Sequence, residues 1–508
     1  MRNNFLQKPF FWVCIIFAAA ATFRIFSLDL LEFKYDEAFT VFELTQFYAH
    51  PYLMQVGSPQ STGVYNPPLF NYLMIILSVL SRDPVFLSFV IALINTISVV
   101  IFYLVIRKFL GNHIAVFSSL TLALSPWSII FSRKIWIPDL ILPFMVMFLY
   151  FFMKRSYLPL FITLALLIQI HASGLFFAAT TVLGLILTRE RFNLKKAFIG
   201  FVIGFIPAIP YFIRQLTSAP ICVDCVAFFN YQFSARTFDF DNLTRVLQFN
   251  SGLHFESILG NDYQAFLTTS PALMVLNSLF AALIIVPLGG AIYIIVSRRK
   301  YLYFVLLMII LPMLYFISRT PSYMHYFAIL VPISALIYGL SINFLWEGTK
   351  NNYGKFLAGI LFTSILTLNI FFIISFNKFV AERKVIDGDY GSVFPITREF
   401  VEDKVKDYRL LKDYELIKSY AYMFAKPEII HGKLGELFIR GGNANLAIAE
   451  FKKALEVNPK DTFSRSNLVY IYIITGKEDG AQKELTTLET FDSTASAKLK
   501  TFFESVKK

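Results

Sequence analysis

Runs of apolar residues separated by short polar stretches recur from Phe10 to Phe376, after which the pattern changes to mixed charge with helical periodicity. A membrane span needs about 20 mainly apolar residues. The runs that approach this are 10–28, 85–106, 113–130, 138–153, 157–170, 172–188, 197–214, 272–296, 302–318, 325–345 and 355–376, and they predict about eleven spans. The run from Pro68 to Leu80 has only about two-thirds of the needed length and follows Pro67, so it is expected to lie along the interface. The pattern predicts an all-α chain: a polytopic membrane helix bundle over 1–376, a helical linker or cap over 377–427, repeats over 428–495 and a tail over 496–508.

The repeats emerge when the C-terminal sequence is laid against itself at an offset of 34. Leu434 then falls on Leu468, Phe438 on Tyr472, Gly442 on Gly476, Ala447 on Ala481 and Glu450 on Glu484. The stretch Leu434-Gly435-x-x-Phe438, Gly442, Ala447-Ile448-x-x-Phe451, Ala454-Leu455 and Pro459 resembles the tetratricopeptide repeat. That resemblance implies a C-terminal α-solenoid with small residues where paired helices touch, and a concave surface that could bind a peptide or protein. Two repeats are few for a solenoid, so the segment around 395–425 is expected to pack onto them as a cap.

Composition changes this picture little: 56% hydrophobic and 16% charged residues contrast with about 25% charged in a soluble chain. The net charge of +12 would suit nucleic acid only as a basic face, and the Lys and Arg residues instead form short clusters between apolar runs. No nucleic-acid partner is expected. With 68–80 not crossing, one side collects Arg2, Lys8, Arg107, Lys108, Lys154, Arg155, Arg189, Arg191, Lys195, Lys196, Arg298 to Lys300, Lys350 and Lys355, which marks it as the cytoplasm. The opposite side receives the long loops 29–84 and 215–271, so a plasma-membrane protein with its N-terminus inside and its repeats outside is expected. No small-residue cleavage site follows 10–28, which is therefore kept as a span. Cys222 and Cys225 form a lone C-x-x-C that fits a local disulfide or two plain thiols better than zinc.

The chemistry-bearing positions gather in the outer loops. The first opens with Lys34-Tyr35-Asp36-Glu37 and ends with Tyr65-Asn66-Pro67-Pro68-Leu69; the next reads Phe131-Ser132-Arg133-Lys134 and then Pro138-Asp139. Loop acids are ordinarily only solvated, and Asp139 has a plain alternative as a helix N-cap beside proline. At the mouth of a span, however, a carboxylate is costly unless it is paired or functional. The motifs in this order, with Ser125-Pro126 leading into Ser132-Arg133, are similar to the protein O-mannosyltransferase and aminoarabinose-transferase-like branch of the C-type membrane glycosyltransferases. The resemblance covers roughly 1–350 and is strongest in the first 175 residues. It implies inverting transfer of a mannose-like or related sugar from a polyprenyl-phosphate donor outside the cytoplasm, with Asp36, Glu37 and Asp139 as the acids.

The reaction asks for such groups independently. A hydroxyl acceptor must lose its proton as the glycosidic bond forms, which a carboxylate in reach can accept; Asp36 is the candidate base. Glu37 and Asp139 would orient the acceptor or bind a divalent metal, although the sequence contains no convincing ligand set for one. Arg133, Lys134, Arg319 and His325 could compensate the charge of the departing lipid phosphate, with Lys34, Tyr35, Asn66 and His171 as further substrate contacts. Plain alternatives stand beside these: Arg133 and Lys134 could snorkel to lipid headgroups, His171 could be a satisfied buried histidine, and Arg24 could reach the interface or pair with an acid such as Asp36. Protein hydroxyls, lipid-linked glycans and lipid A-like molecules all remain open as acceptors. A polysaccharide ligase or polymerase and a transporter are the competing functions; against the transporter, nearly every charge lies in loops.

Overall fold

The computed structural model describes residues 9–59, 64–190, 192–218, 237–320, 323–348, 352–424 and 427–507; Cys222 and Cys225 lie outside them. Among these residues the regular structure is helical, apart from isolated bridges such as Glu32 with Val393. The chain divides into two compact units, one comprising Met1–Glu32 and Tyr52–Val393, the other Phe33–Pro51 and Phe394–Lys508.

Five helices of the first unit are long and apolar enough to cross a membrane: Pro84–Leu110, Pro271–Ser297, Arg299–Ile317, Met324–Gly348 and Asn352–Arg383. The first shows how sequence sets such a helix. Pro84 occupies the first turn, where its missing N–H is harmless, and the Asp83 carboxylate accepts from the N–H groups of Val85 (2.9 Å) and Phe86 (3.3 Å). At the other end Arg107 and Lys108 face the helix's negative pole. Shorter apolar helices are α1 (Pro9–Ile25) and the segments Asn112–Leu124, Ile137–Met153, Tyr157–Ile170 and Ser173–Leu187. Val275, Ile285, Ile292 and Val296 stand exposed on Pro271–Ser297, whereas Met324–Gly348 is almost wholly enclosed by protein. Exposed apolar stripes on an otherwise packed bundle are what a hydrocarbon solvent permits.

Three segments depart from the simple pattern. The run 113–130 is broken into Asn112–Leu124 and Pro126–Ile130, because Pro126 has no N–H to bond Leu122 and Ser125 caps the new helix. Arg24 takes over at this break: wholly buried, it donates to Ala123 O (2.7 Å), Leu122 O (3.2 Å) and Ser128 Oγ (2.8 Å). Arg24 therefore serves the carbonyls a proline orphaned, and the expected reach to the interface is not its role. The run 197–214 bends by 42° between Leu194–Gly204 and Ile206–Thr217, where Pro207 interrupts the ladder. In 68–80 only Leu69–Leu77 is helical, nine residues or roughly 14 Å, too short to cross.

In the second unit, α2 (Tyr35–Ala49) packs with the C-terminal residues through the ring pair Phe42–Tyr420 (5.3 Å), and Phe33 just before it through Phe33–Tyr422 (5.4 Å) and Phe33–Phe394 (4.7 Å). The segment 33–51, expected as part of a membrane-domain loop, is thus grouped with residues beyond 394. Helix pairs Pro427–Arg440 with Ala444–Val457 and Thr462–Ile474 with Glu478–Glu489 follow, and Ser493–Lys507, expected as a tail, forms a further helix. The offset of 34 holds in three dimensions. Gly442 and Gly476 make the two helix-ending turns at φ 72° and 70°, a backbone region that favours glycine. His431 bonds Glu450 (2.8 Å), and its counterpart Arg465 bonds Glu484, the counterpart of Glu450. Tyr408 ties the 395–425 segment to the first pair through Glu450 (2.5 Å) and the Phe438 ring (5.0 Å). Burial alone would raise the Glu450 carboxyl; hydrogen bonds from His431, Tyr408 and Lys453 hold it below its ordinary value.

Candidate functional site

The turn 131–139 is organised by Asp139. Its carboxylate, fully buried, accepts the backbone N–H groups of both Arg133 and Lys134 at 2.9 Å, and its carbonyl receives the Asn95 amide at 2.8 Å. It lies inside the short helical turn Ile137–Leu140, so it caps the preceding loop and not the helix that follows. Ser88 donates to the Arg133 carbonyl from the same long helix that carries Asn95, which fixes the turn to the bundle. Asp139→Ala leaves two buried N–H groups without that acceptor, at about 1–3 kcal/mol each; a lowered melting temperature together with reduced transfer is the expected outcome, and Asp139→Asn, which keeps one oxygen, should fall between it and the parent.

Neither basic residue of the turn snorkels to the headgroup layer; both are buried. Arg133 donates to Phe23 O (3.3 Å) and to Ser27 O, and burial holds its guanidinium below the ordinary value against the opposing pull of Tyr390, Asp29 and Asp139. Lys134 Nζ lies 2.9 Å from the Glu32 carboxylate and 4.0 Å from the centre of the Trp136 ring. Trp136 continues outward to His325 (4.8 Å), and His325 meets Tyr326 (4.5 Å), Tyr323 (5.6 Å) and His171 (5.9 Å). Trp136, His171, His325 and Tyr326 are each half-buried, and Tyr323 is exposed. The result is a reachable patch of aromatic and imidazole groups backed by a buried lysine and carboxylate. His171 Nδ1 lies 2.8 Å from Ser173 Oγ, and its enclosure by neighbouring rings, despite a partly open edge, pushes the imidazole down to about 4. At neutral pH it is an uncharged donor or acceptor.

Asp36 and Glu37 stand in the first turn of α2, where carboxylates suit the positive helix pole. They differ sharply in exposure. Glu37 is buried and accepts the Lys34 N–H at 3.0 Å, closing the helix start, whereas Asp36 and Tyr35 are exposed. Tyr35 stacks along the helix on Phe39 at 6.0 Å.

Asn66 and Arg319, also predicted from sequence, have contacts of their own. Asn66 is buried, its amide donating to Ser58 O (3.0 Å), and Arg319 is exposed above the Phe238 ring (4.6 Å). Sequence reasoning missed Glu32, Trp136, Tyr323 and Tyr326. A signal existed for two of them: Glu32 is a carboxylate at the end of the first apolar run, and Trp136 is one of only four tryptophans, set beside a basic pair. Among the described residues no group of three or more His, Cys, Asp or Glu side chains is arranged to hold a metal ion, so the divalent metal weighed from sequence has no donor set there.

No protein-family model matches the chain, and no curated protein matches it. Among solved structures it is similar to the Archaeoglobus fulgidus oligosaccharyltransferase tethered with an acceptor peptide containing the NVT sequon, at 13% identity and TM-score 0.50 over 84% of this chain and 60% of that one. The fold is shared with a glycosyltransferase. It is also similar to ArnT from Cupriavidus metallidurans bound to undecaprenyl phosphate, at 14% identity and TM-score 0.47 over 90% of this chain and 79% of that one. The chain spans about three-fifths of the length of the oligosaccharyltransferase it matches.

Proposed function

We propose that this chain is an inverting glycosyltransferase that moves a single sugar from a polyprenyl-phosphate donor to a hydroxyl acceptor on the extracytoplasmic face. In this reading the chain crosses the membrane eleven times, with the N-terminus inside and tetratricopeptide repeats over 428–495 outside. The observation that carries the reading is the 131–139 turn, in which Asp139 anchors a basic pair behind the half-exposed Trp136–His325–His171 patch. The shared fold and the ordered Asp-Glu, Asn-Pro-Pro-Leu and Pro-Asp motifs support it.

In the reaction Asp36 accepts the proton of the acceptor hydroxyl while the hydroxyl oxygen bonds the anomeric carbon from the face opposite the phosphate. The bond from that carbon to the phosphate oxygen breaks, and polyprenyl phosphate leaves with the electron pair. His325, neutral His171 and Arg319 donate to the departing phosphate, and Trp136 packs against apolar portions of the donor. Lys134 is compensated by Glu32 and therefore positions Trp136 in preference to carrying the phosphate itself. Glu37 closes the start of α2 and so sets the aim of Asp36.

Purified protein in lipid, offered radiolabelled polyprenyl-phosphate mannose, glucose and related sugars, should transfer label from one of them to an acceptor. Turnover only of a long diphosphate-linked glycan would establish a ligase or polymerase instead. Because Tyr420 packs on α2 and Tyr422 on Phe33 just before it, removal of everything beyond 394 should abolish transfer to all acceptors. Truncation after Phe424 keeps those contacts, so transfer to a small soluble acceptor should survive it while transfer to a macromolecular one falls; equal loss on both would show that the repeats maintain the catalytic helix.

A further inference from the structure

At one end of the first unit, the helices Tyr157–Ile170 and Leu194–Gly204 run side by side in the same direction. Gly200 and Gly204, one turn apart, make this possible: a Cβ on Gly200 would meet Leu158 O at 2.3 Å, and one on Gly204 would meet the Ala165 Cβ at 2.6 Å. Because the pairing is parallel, the two segments leading into these helices open together into a cleft of about 680 Å³. Arg155, Ser156 and Tyr157 line one wall, and Phe192, Asn193 and Lys196 the other. Lys196 is exposed, and Arg155, also exposed, pairs with the half-buried Glu190 at 3.0 Å. Further cations gather at this end: Lys154 and Lys108 both lie over the Tyr150 ring, at 5.6 and 5.3 Å, and Arg189 and Lys195 flank the cleft in sequence. Glu190 is the one carboxylate against them in these flanking segments.

We propose that this cleft is a binding site for the phosphate headgroup of an anionic phospholipid. Charge complementarity supplies the first reason: cations outnumber carboxylates around a pocket that also offers Ser156, Tyr157 and Asn193 as hydrogen-bonding groups. The second is the surface that runs from the cleft along Leu194–Gly204, where Leu194, Phe198, Val202 and Ile203 are all exposed. This stripe belongs to a span and faces lipid, so the acyl chains of a lipid whose headgroup sits in the cleft would lie along it. Phe192, in the wall of the cleft, stacks on Phe161 at 6.0 Å. The site is distinct from the Trp136–His325 patch, and it does not depend on the reaction assigned to that patch.

Full-length protein carried through detergent washing and examined by native mass spectrometry should retain phosphatidylglycerol in preference to phosphatidylcholine. Arg155→Gln with Lys196→Gln should weaken phosphatidylglycerol binding by about thirtyfold, the effect of two cations near an anionic lipid, with an unchanged melting temperature. Arg299→Gln with Lys300→Gln removes the same charge elsewhere and should leave retention as it was. Undiminished retention in the cleft variant, or equal loss in the control variant, would overturn the site. Displacement of the lipid by millimolar inorganic phosphate would replace a lipid site with a free-phosphate one and equally sink the proposal.

Discussion

Asp36→Asn should lower sugar transfer by roughly 10²–10⁴-fold, the range in which a general base contributes, and leave the fold intact. The residue is exposed in the first turn of α2, and its amide replacement has the same volume. The weakened interaction of the carboxylate with the helix pole costs about 0.3–1 kcal/mol. Glu37→Gln makes the informative comparison. Its amide oxygen can still accept the Lys34 N–H, so a variant with near-normal turnover is expected there. The rate loss should belong to kcat and not to donor binding, because the proton moves only as the bond forms. An Asp36→Asn protein that turns over at near the parental rate would remove the base from the mechanism.

The second large effect is on stability. Glu32 and Lys134 are both buried and 2.9 Å apart. Glu32→Leu strips the ammonium of its carboxylate, and breaking a buried pair from one side typically costs about 3–5 kcal/mol. Glu32→Leu combined with Lys134→Met removes both charges and should recover most of that loss, since apolar replacement of a whole buried pair is often neutral. Transfer by the double variant separates the two roles of Lys134. Recovery of turnover together with stability fits a residue that positions Trp136; recovery of stability alone would mean that the ammonium acts on substrate. Thermal unfolding of the parent, Glu32→Leu, Lys134→Met and the double variant supplies the cycle.

These two sites were unequally legible. The paired acids could be read from the chain because they follow the first apolar run directly, and apolar runs need only local composition to be seen. The helical state of 35–49 and its grouping with residues beyond 394 were not, since both depend on rings such as Phe42 and Tyr420 that lie far apart in sequence. Glu32 was passed over for the same reason: its partner is about one hundred residues away. The break at Ser125-Pro126 was visible in the sequence, but hydropathy averages across a proline, and the consequence for Arg24 requires knowing which carbonyls the proline leaves unbonded. Residues 34 apart occupy matching places in the structure because each helix pair uses a glycine at the same turn and an acid at the same position bonded to its partner 19 residues earlier.

The donor class is the central claim, and the lipid product tests it most directly. Purified protein in lipid vesicles, given a polyprenyl-phosphate sugar carrying ³²P in its phosphate and a second label in the sugar, should release polyprenyl monophosphate in step with each sugar transferred, and should do neither as the Asp36→Asn variant. Folded parental protein that leaves the doubly labelled donor intact with every sugar offered, or that transfers sugar only from a diphosphate-linked lipid and releases polyprenyl diphosphate, would contradict it.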